Sequence, residues 1–108
     1  MDSLDNILYD IDKFNKDRDW DQFHAPANLA KSISIEAAEL LECFQWNDDN
    51  YNLNKVKEEL ADVLIYALQM SLKLNLNPLE IIKEKIQKNA EKYPISKAKG
   101  SSKKYNEL

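Results

Sequence analysis

Apolar residues recur along this chain at intervals of three and four, the spacing of one face of an α-helix. The pattern predicts four helices, at about residues 4–16, 26–46, 55–74 and 78–93. The best-marked boundary is NLNPLE at residues 75–80, where Asn77 is placed to cap the fourth helix and Pro78 to open it. Residues 94–108 are polar and basic without helical periodicity, so we expect an irregular tail. We therefore predict an all-α fold in a single domain of residues 1–108.

Composition narrows the class of protein. The chain has 108 residues, a net charge of −4 and one glycine. The acidic balance argues against binding a nucleic acid polymer by non-specific electrostatics, and Gly100 alone cannot build a glycine-rich phosphate loop. The single cysteine, Cys43, excludes an intramolecular disulfide, and no apolar run approaches the roughly 20 residues that span a bilayer. With no signal-like segment before the first charges, we expect a cytoplasmic protein without a membrane partner.

Two acidic pairs lie at the borders of the apolar stripes. Glu36 and Glu39 belong to EAAELLE on the second predicted helix, and Glu59 and Asp62 belong to EELADVLIY on the third. Residues three apart share a helix face, so packing the two helices together would bring four carboxylates together. Such a cluster is costly unless a cation neutralises it, and oxygen ligands suit Mg²⁺ or Mn²⁺. On geometry alone, a solvated acidic rim paired with lysines is an equally open alternative.

Other acids and the single histidine fit a metal centre less well. Glu42 and Glu58 have a different helical phase from the four acids, so we place them on the surface or behind the ligands. A di-iron site also uses four carboxylates, but it needs two Glu-x-x-His pairs. The only histidine, His24, belongs to no such motif. Taken alone, His24 is a structural residue rather than a catalytic one.

The tryptophans are the candidate stacking surfaces. Trp46 is expected to share a helix face with Glu36 and Glu39, about two turns along, which places its ring roughly 10 Å from the metal. Trp20 lies in a stretch without helical period and has no such geometric argument. Tryptophans at helix ends are most often anchors of a core, so both residues also have a purely structural interpretation.

Five blocks of this sequence, in order, resemble the all-α nucleoside triphosphate pyrophosphohydrolases of the MazG-like superfamily, above all their dCTP pyrophosphatase branch. The blocks are RDWDQFH at 18–24, EAAELLECFQW at 36–46, EELADVLIY at 58–66, KIQKNAEKYP at 85–94 and SSKKYNEL at 101–108. The resemblance covers nearly the whole chain from Leu4 to Leu108. It implies a four-helix fold that assembles into tight dimers and, from these, a homotetramer.

The resemblance also implies a reaction and a set of site residues. The reaction is hydrolysis of a dNTP between its α and β phosphates, with dCTP or a modified dCTP favoured, to remove surplus or non-canonical nucleotides. The implied Mg²⁺ ligands, with Mn²⁺ as the alternative ion, are Glu36, Glu39, Glu59 and Asp62. The implied substrate-binding residues are Trp20, His24, Trp46, Tyr66, Lys85 and Asn89.

We assign roles to two of these residues and note two differences from the family pattern. We choose Glu39 as the residue that accepts a proton from the attacking water, and Lys85 as a cation that neutralises departing pyrophosphate. Ile35 stands where many MazG-like proteins have another acid, and no histidine occurs near Ile11, where the branch has one. The metal count and the preferred base therefore stay open. The alternatives are the same chemistry with another or broad base specificity, and a non-enzymatic helical interaction module with a structural metal site.

Overall fold

The computed structural model describes residues 3–108, and within that range the secondary structure is entirely helical. Its α-helices are α1 (Leu4–Asp17), α2 (Pro26–Glu42), α3 (Leu53–Lys73), α4 (Pro78–Lys92) and α5 (Ile95–Ala98). Short 3₁₀ turns occupy Asp21–Phe23 and Tyr105–Glu107. The all-α fold predicted from the apolar spacing is confirmed. No helix in the described range is both long and apolar enough to cross a bilayer.

The start of α4 follows the capping chemistry of its sequence. The Asn77 side-chain oxygen accepts backbone N–H groups from Leu79, at 2.9 Å, and Glu80, at 3.4 Å. Pro78 occupies the first helical position, where its missing N–H leaves no hydrogen bond unmade. Asn52 caps α3 in the same way. The predicted boundary at Asn77 and Pro78 is therefore confirmed.

The prediction that the second helix continues to residue 46 was wrong. α2 ends at Glu42, and residues 43–45 each bond the carbonyl three residues back, which tightens the chain out of the α-helix. The Phe44 ring packs against Tyr51 with centroids 4.9 Å apart. The Asn47 side-chain oxygen accepts two backbone N–H groups of the following turn. These local contacts compete with helix continuation.

The C-terminal tail is more ordered than predicted. Pro94 precedes the short helix α5, and its carbonyl accepts the N–H of Ala98 at 2.8 Å. The Tyr105 ring meets Tyr93 edge-on with centroids 6.3 Å apart, and the Lys92 ammonium lies 5.0 Å from the centre of the same ring. Aromatic and cation–π contacts therefore order a segment that its polar sequence suggested would be irregular.

The chain forms two compact units, one ending at Asn75 and the other covering Leu76–Leu108. In the first unit, α3 packs against both α1 and α2. Within the described part of this unit, the buried apolar side chains are Ile11 of α1 and Leu29 of α2. This small core holds α1 and α2 against α3, the helix that carries half of the predicted acids. The single domain over 1–108 stays a prediction.

Candidate metal centre and adjoining cavity

Carboxylates from α2 and α3 converge where these two helices pack together. One oxygen each from Glu36, Glu59 and Asp62 lies within 4.8 Å of the other two, and all three residues are half-buried. We call these three residues the acid cluster. The structure therefore brings together three of the four acids that the sequence suggested as metal ligands.

The fourth acid, Glu39, is exposed and lies beside the acid cluster rather than within it. A side-chain hydrogen bond with Glu39, with burial and the charges of the neighbouring acids, raises the pKa of Glu36 to about 7. Burial, followed by the hydrogen bond and charge of Glu39, also raises the pKa of Glu59. A hydrogen bond between two carboxyl groups requires a proton on one of them. The acids are therefore so close together that, without a bound cation, protonation reduces the repulsion between them.

Two oxygens of the acid cluster have no hydrogen-bond partner among residues 3–108. Glu36 Oε2 and Glu59 Oε2 are buried without a hydrogen bond in the described chain. The salt bridges within residues 3–108 join Lys13 to Asp17 and Lys16 to Asp12, all on α1. The alternative of an acidic rim paired with lysines therefore does not describe these acids. Buried oxygens without donors, in an all-carboxylate set, fit a hard divalent cation such as Mg²⁺.

A cavity of about 480 Å³ adjoins the acid cluster, and we call it the α1–α3 cavity. Its lining residues are Ile7, Asp10, Ile11, Phe14, Asn15, Trp20, His24, Asp62, Ile65, Tyr66 and Gln69. Asp62 belongs to both the acid cluster and this lining, so the two regions are continuous. The volume and the mainly apolar and aromatic walls are typical of a small-molecule site.

Trp20 reaches the α1–α3 cavity because of how α1 ends. The Trp20 N–H donates to the carbonyl of Asn15 at 2.9 Å, and the Asp19 N–H donates to Lys16 at 3.0 Å. With Asp19 at φ 55°, this is a Schellman ending, which turns the chain back on its own helix. The Trp20 ring then meets Phe14 edge-on with centroids 5.6 Å apart. The sequence offered no geometric argument for Trp20, and this motif supplies one.

His24 and Tyr66 also line the α1–α3 cavity. His24 is half-buried, and its ring Nδ1 pairs with the side-chain amide of Gln69. Burial, and then the charges of Glu36 and Asp62 among the neighbouring acids, raise the pKa of the Tyr66 phenol. Three residues that the sequence assigned to substrate binding, Trp20, His24 and Tyr66, therefore share one cavity that reaches the acid cluster.

The lining of this cavity does not include Trp46. Trp46 lies beyond the end of α2 with 89% of its surface exposed, so the argument that it shares a helix face with the acids was wrong. Lys85 and Asn89 are exposed on α4. Substrate contacts by these three residues stay predictions. Glu42 and Glu58 are both exposed, as their helical phase suggested.

Three polar residues of the cavity, Asp10, Asn15 and Gln69, were missed from the sequence. Gln69 lies seven residues after Asp62 and three after Tyr66, on the same face of α3. Asn15 follows Ile11 by four, on the apolar face of α1. A polar residue on a helix face that is otherwise apolar or already carries site residues is a signal that could have revealed Gln69 and Asn15.

Fold and site together define an all-α protein with an acidic centre between two helices and an aromatic cavity beside it. The model of the MazG-like family matches residues 31–108, so this chain belongs to the MazG-like family. It is 37% identical over 106 residues to dCTP pyrophosphatase 1 of Homo sapiens, and 33% identical over 105 residues to that of Mus musculus. Each alignment covers 89% of this chain, and the chain spans 62% of the length of these relatives.

A solved structure is also similar. The crystal structure of a pyrophosphatase from Archaeoglobus fulgidus superposes with a TM-score of 0.78 at 40% sequence identity. The superposition covers 87% of this chain and 94% of the other. The similarity extends over most of both chains, so it concerns the fold as a whole rather than one motif.

Proposed function

We propose that this protein is a Mg²⁺-dependent nucleoside triphosphate pyrophosphatase that hydrolyses a dNTP to a dNMP and pyrophosphate, with dCTP or a modified dCTP favoured. The observation that carries the proposal is that the acid cluster, with its unpartnered buried oxygens, adjoins the α1–α3 cavity at Asp62. A triphosphate needs a cation at one end and a stacking surface for its base at the other. The names of the human and mouse relatives support dCTP as the favoured substrate.

The proposed ion site is formed by the acid cluster together with Glu39. When bound, Mg²⁺, or Mn²⁺ in its place, supplies neutralisation of phosphate charge and activation of water. Glu39 is exposed and lies outside the group of three close oxygens, which supports its role as acceptor of the water's proton. The Tyr66 phenol, whose pKa is raised by burial and nearby carboxylates, stays protonated and can donate a hydrogen bond to the substrate.

Two further proposed substrate contacts are on α4. Lys85 and Asn89 are assigned to the phosphates, where Lys85 would neutralise charge on the departing pyrophosphate. Trp20 and His24 are assigned to the base, with Trp46 as a further stacking candidate. Removal of surplus or non-canonical nucleotides, in the cytoplasm, is the cellular role that this chemistry suits.

Self-association is part of the proposal. Leu79, Ile82 and Ile86 recur at helical spacing on α4, and each is more than half exposed. A continuous apolar face on a small chain favours a homo-oligomer, and a dimer or a tetramer is proposed. Light scattering coupled to gel filtration measures this directly, and a monomer at all concentrations would contradict it.

The enzymatic proposal is tested by pyrophosphate release from each of the four common dNTPs and 5-methyl-dCTP. Wild type with Mg²⁺ is expected to act fastest on a cytosine nucleotide and to stop when the ion is chelated. Glu36→Gln is expected to abolish turnover, whereas Glu42→Gln, an exposed acid on the same helix, keeps it. A folded wild-type protein without turnover on any base would instead favour a helical interaction module.

A further inference from the structure

Buried polar side chains are few in this protein and two of them meet at the α1–α3 cavity. Within residues 3–108 they are Asn15, Gln69 and Ser71, with 5, 6 and 7% of their surfaces exposed. The Ser71 hydroxyl donates to the carbonyl of Ala67 at 3.3 Å, so its polarity is met inside the helix. Asn15 and Gln69 both line the cavity. A few polar groups in the wall of a mainly apolar cavity are placed to hydrogen-bond a ligand and to fix its orientation.

The pairing of Gln69 with His24 couples the orientation of the amide to the tautomer of the ring. Gln69 Nε2 faces His24 Nδ1, and an amide nitrogen can only donate a hydrogen bond. In this orientation His24 Nδ1 is unprotonated, and the neutral ring carries its proton on Nε2. The opposite amide orientation would instead need a proton on Nδ1, so the orientation of Gln69 and the tautomer of His24 are set together. Gln69 Oε1, which has no partner among the described residues, is thereby left as a hydrogen-bond acceptor for a ligand.

We infer that Gln69, oriented by His24, is a specificity-determining residue that selects an amino-substituted pyrimidine over an oxo-substituted one. Cytosine presents an amino group that donates a hydrogen bond, whereas thymine and uracil present an oxygen that accepts one at the same position. Gln69 Oε1 can pair with the first and repels the second. Asn15 adds a second amide to the same wall, where it can complement the neighbouring ring nitrogen.

The inference rests on the proposed function, because it assigns the base end of the nucleotide to the α1–α3 cavity. It goes further by naming the group that reads the base, and by giving a physical reason for a cytosine preference. A site whose buried acceptor is left unpaired by the wrong ligand rejects that ligand strongly, whereas shape alone separates the two pyrimidines weakly.

The test compares Gln69→Leu with Ser71→Ala, a substitution at a similarly buried polar residue two positions along α3 that lies outside the cavity lining. The first readout is NMR titration of the full chain with deoxycytidine and with thymidine, which need no metal. The second is the ratio of kcat/KM for dCTP to that for dTTP. Gln69→Leu is expected to lower the cytosine preference about tenfold in both readouts, mainly because it weakens binding of the cytosine ligand. Ser71→Ala is expected to leave the preference unchanged.

Two further measurements separate hydrogen bonding from packing. Gln69→Glu retains an acceptor oxygen and is expected to keep the cytosine preference that Gln69→Leu loses. Nitrogen NMR of the wild-type ring is expected to show His24 Nδ1 unprotonated in the neutral form. A neutral ring protonated at Nδ1 would overturn the orientation on which the inference depends.

Failure of the inference differs from failure of the proposed function. Equal binding of the two nucleosides to wild type, binding of neither, or an unchanged ratio in folded Gln69→Leu would overturn the role of Gln69. Absence of pyrophosphate release from every dNTP would overturn the proposed function, while the nucleoside titrations would still decide whether Gln69 reads the base.

Discussion

The acid cluster and the α1–α3 cavity share Asp62, yet they are stabilised in opposite ways. In the cluster, Glu36 and Glu59 each bury an oxygen without a partner, and the pKa of Glu36 is raised to about 7. In the cavity, Trp20 is held by a helix-ending motif and by an edge-on contact with Phe14. The first region is therefore completed only by a ligand, whereas the second is formed by the fold itself.

This difference separates the two halves of the proposed activity. Changes in the acid cluster should act on metal dependence and on the chemical step, since the acids are arranged for an ion. Changes in the cavity should act on substrate affinity and base preference, since its walls are arranged for a flat ligand. A cavity substitution that changed metal dependence, or a cluster substitution that changed base preference, would contradict this separation. Substitutions whose effects stay within one region would support it.

The largest effect is expected from Glu59→Gln in the acid cluster. Loss of one charged ligand weakens the binding of a divalent ion more than loss of a supporting contact does. We therefore expect kcat to fall by at least about a hundredfold. Glu58→Gln is the matched control, because Glu58 is the adjacent residue but is exposed. Equal loss in both variants would mean that total negative charge, and not the clustered oxygens, is what the reaction requires. Pyrophosphate release at saturating dCTP and varied Mg²⁺ measures this.

The next effect is expected from Trp20→Ala in the cavity. Stacking of a base on an aromatic ring contributes about 1–3 kcal/mol, so KM for dCTP should rise roughly tenfold while kcat changes little. Trp46→Ala is the informative companion, since Trp46 is 89% exposed and does not line the cavity. A similar rise in KM for Trp46→Ala would show that the segment after α2 also reaches the base.

A smaller effect is expected where α1 ends. Asp19 adopts φ 55°, a conformation that disfavours a side chain unless it is Asn, Asp or Gly. Asp19→Ala should therefore lower the free energy of unfolding by about 1 kcal/mol, as measured by urea titration. Asp19→Asn, which tolerates the same φ and can still accept the hydrogen bond from Gln22 Nε2, is expected to stay near wild type. Equal stability of all three proteins would contradict the claim that the helix ending at Asp19 stabilises the position of Trp20.

The smallest effect is a pH dependence of stability in the absence of divalent ions. The pKa of Glu36 is about 7 in the folded protein against an ordinary value of 4.5, so the folded chain binds more protons between these values. Stability from this group is therefore fully present below about pH 4.5 and is lost as the pH rises through about 7. With chelator present, Tm should fall more steeply with rising pH in wild type than in Glu36→Gln. Added Mg²⁺ should recover more stability at high pH than at low pH.

Exposed Glu42 offers the control for this last experiment. Glu42→Gln changes the net charge by the same amount on the same helix and is expected to keep the wild-type slope of Tm against pH. A flattened slope in Glu42→Gln would assign the effect to overall charge and would contradict the role of the acid cluster.

Much of the fold could be predicted because local signals were strong. The apolar spacing gave every long helix, and Asn77 with Pro78 marked the start of α4 through capping alone. The end of α2 could not be predicted, because it depends on the contact between Phe44 and Tyr51 and on the Asn47 turn. These contacts belong to a loop whose composition gives no periodic signal.

The two tryptophans show the same limit for the candidate site. Helix spacing favoured Trp46 and gave no support to Trp20, but the structure reverses this order for the α1–α3 cavity. Spacing arguments hold only while the helix continues, and α2 ends before Trp46. Trp20 is placed by backbone hydrogen bonds to Asn15, which a pattern of side chains does not reveal. Three of the four acids, Glu36, Glu59 and Asp62, lie well inside α2 and α3 and are neighbours as the spacing predicted.

The central claim is that the acid cluster supports hydrolysis between the α and β phosphates of a dNTP. Phosphorus NMR of dCTP incubated with the protein and Mg²⁺ tests this claim most directly, because it identifies the products as well as the loss of substrate. The account predicts dCMP and pyrophosphate in equal amounts, with no reaction in the presence of chelator. Formation of dCDP and orthophosphate, or unchanged dCTP with folded wild-type protein, would contradict it.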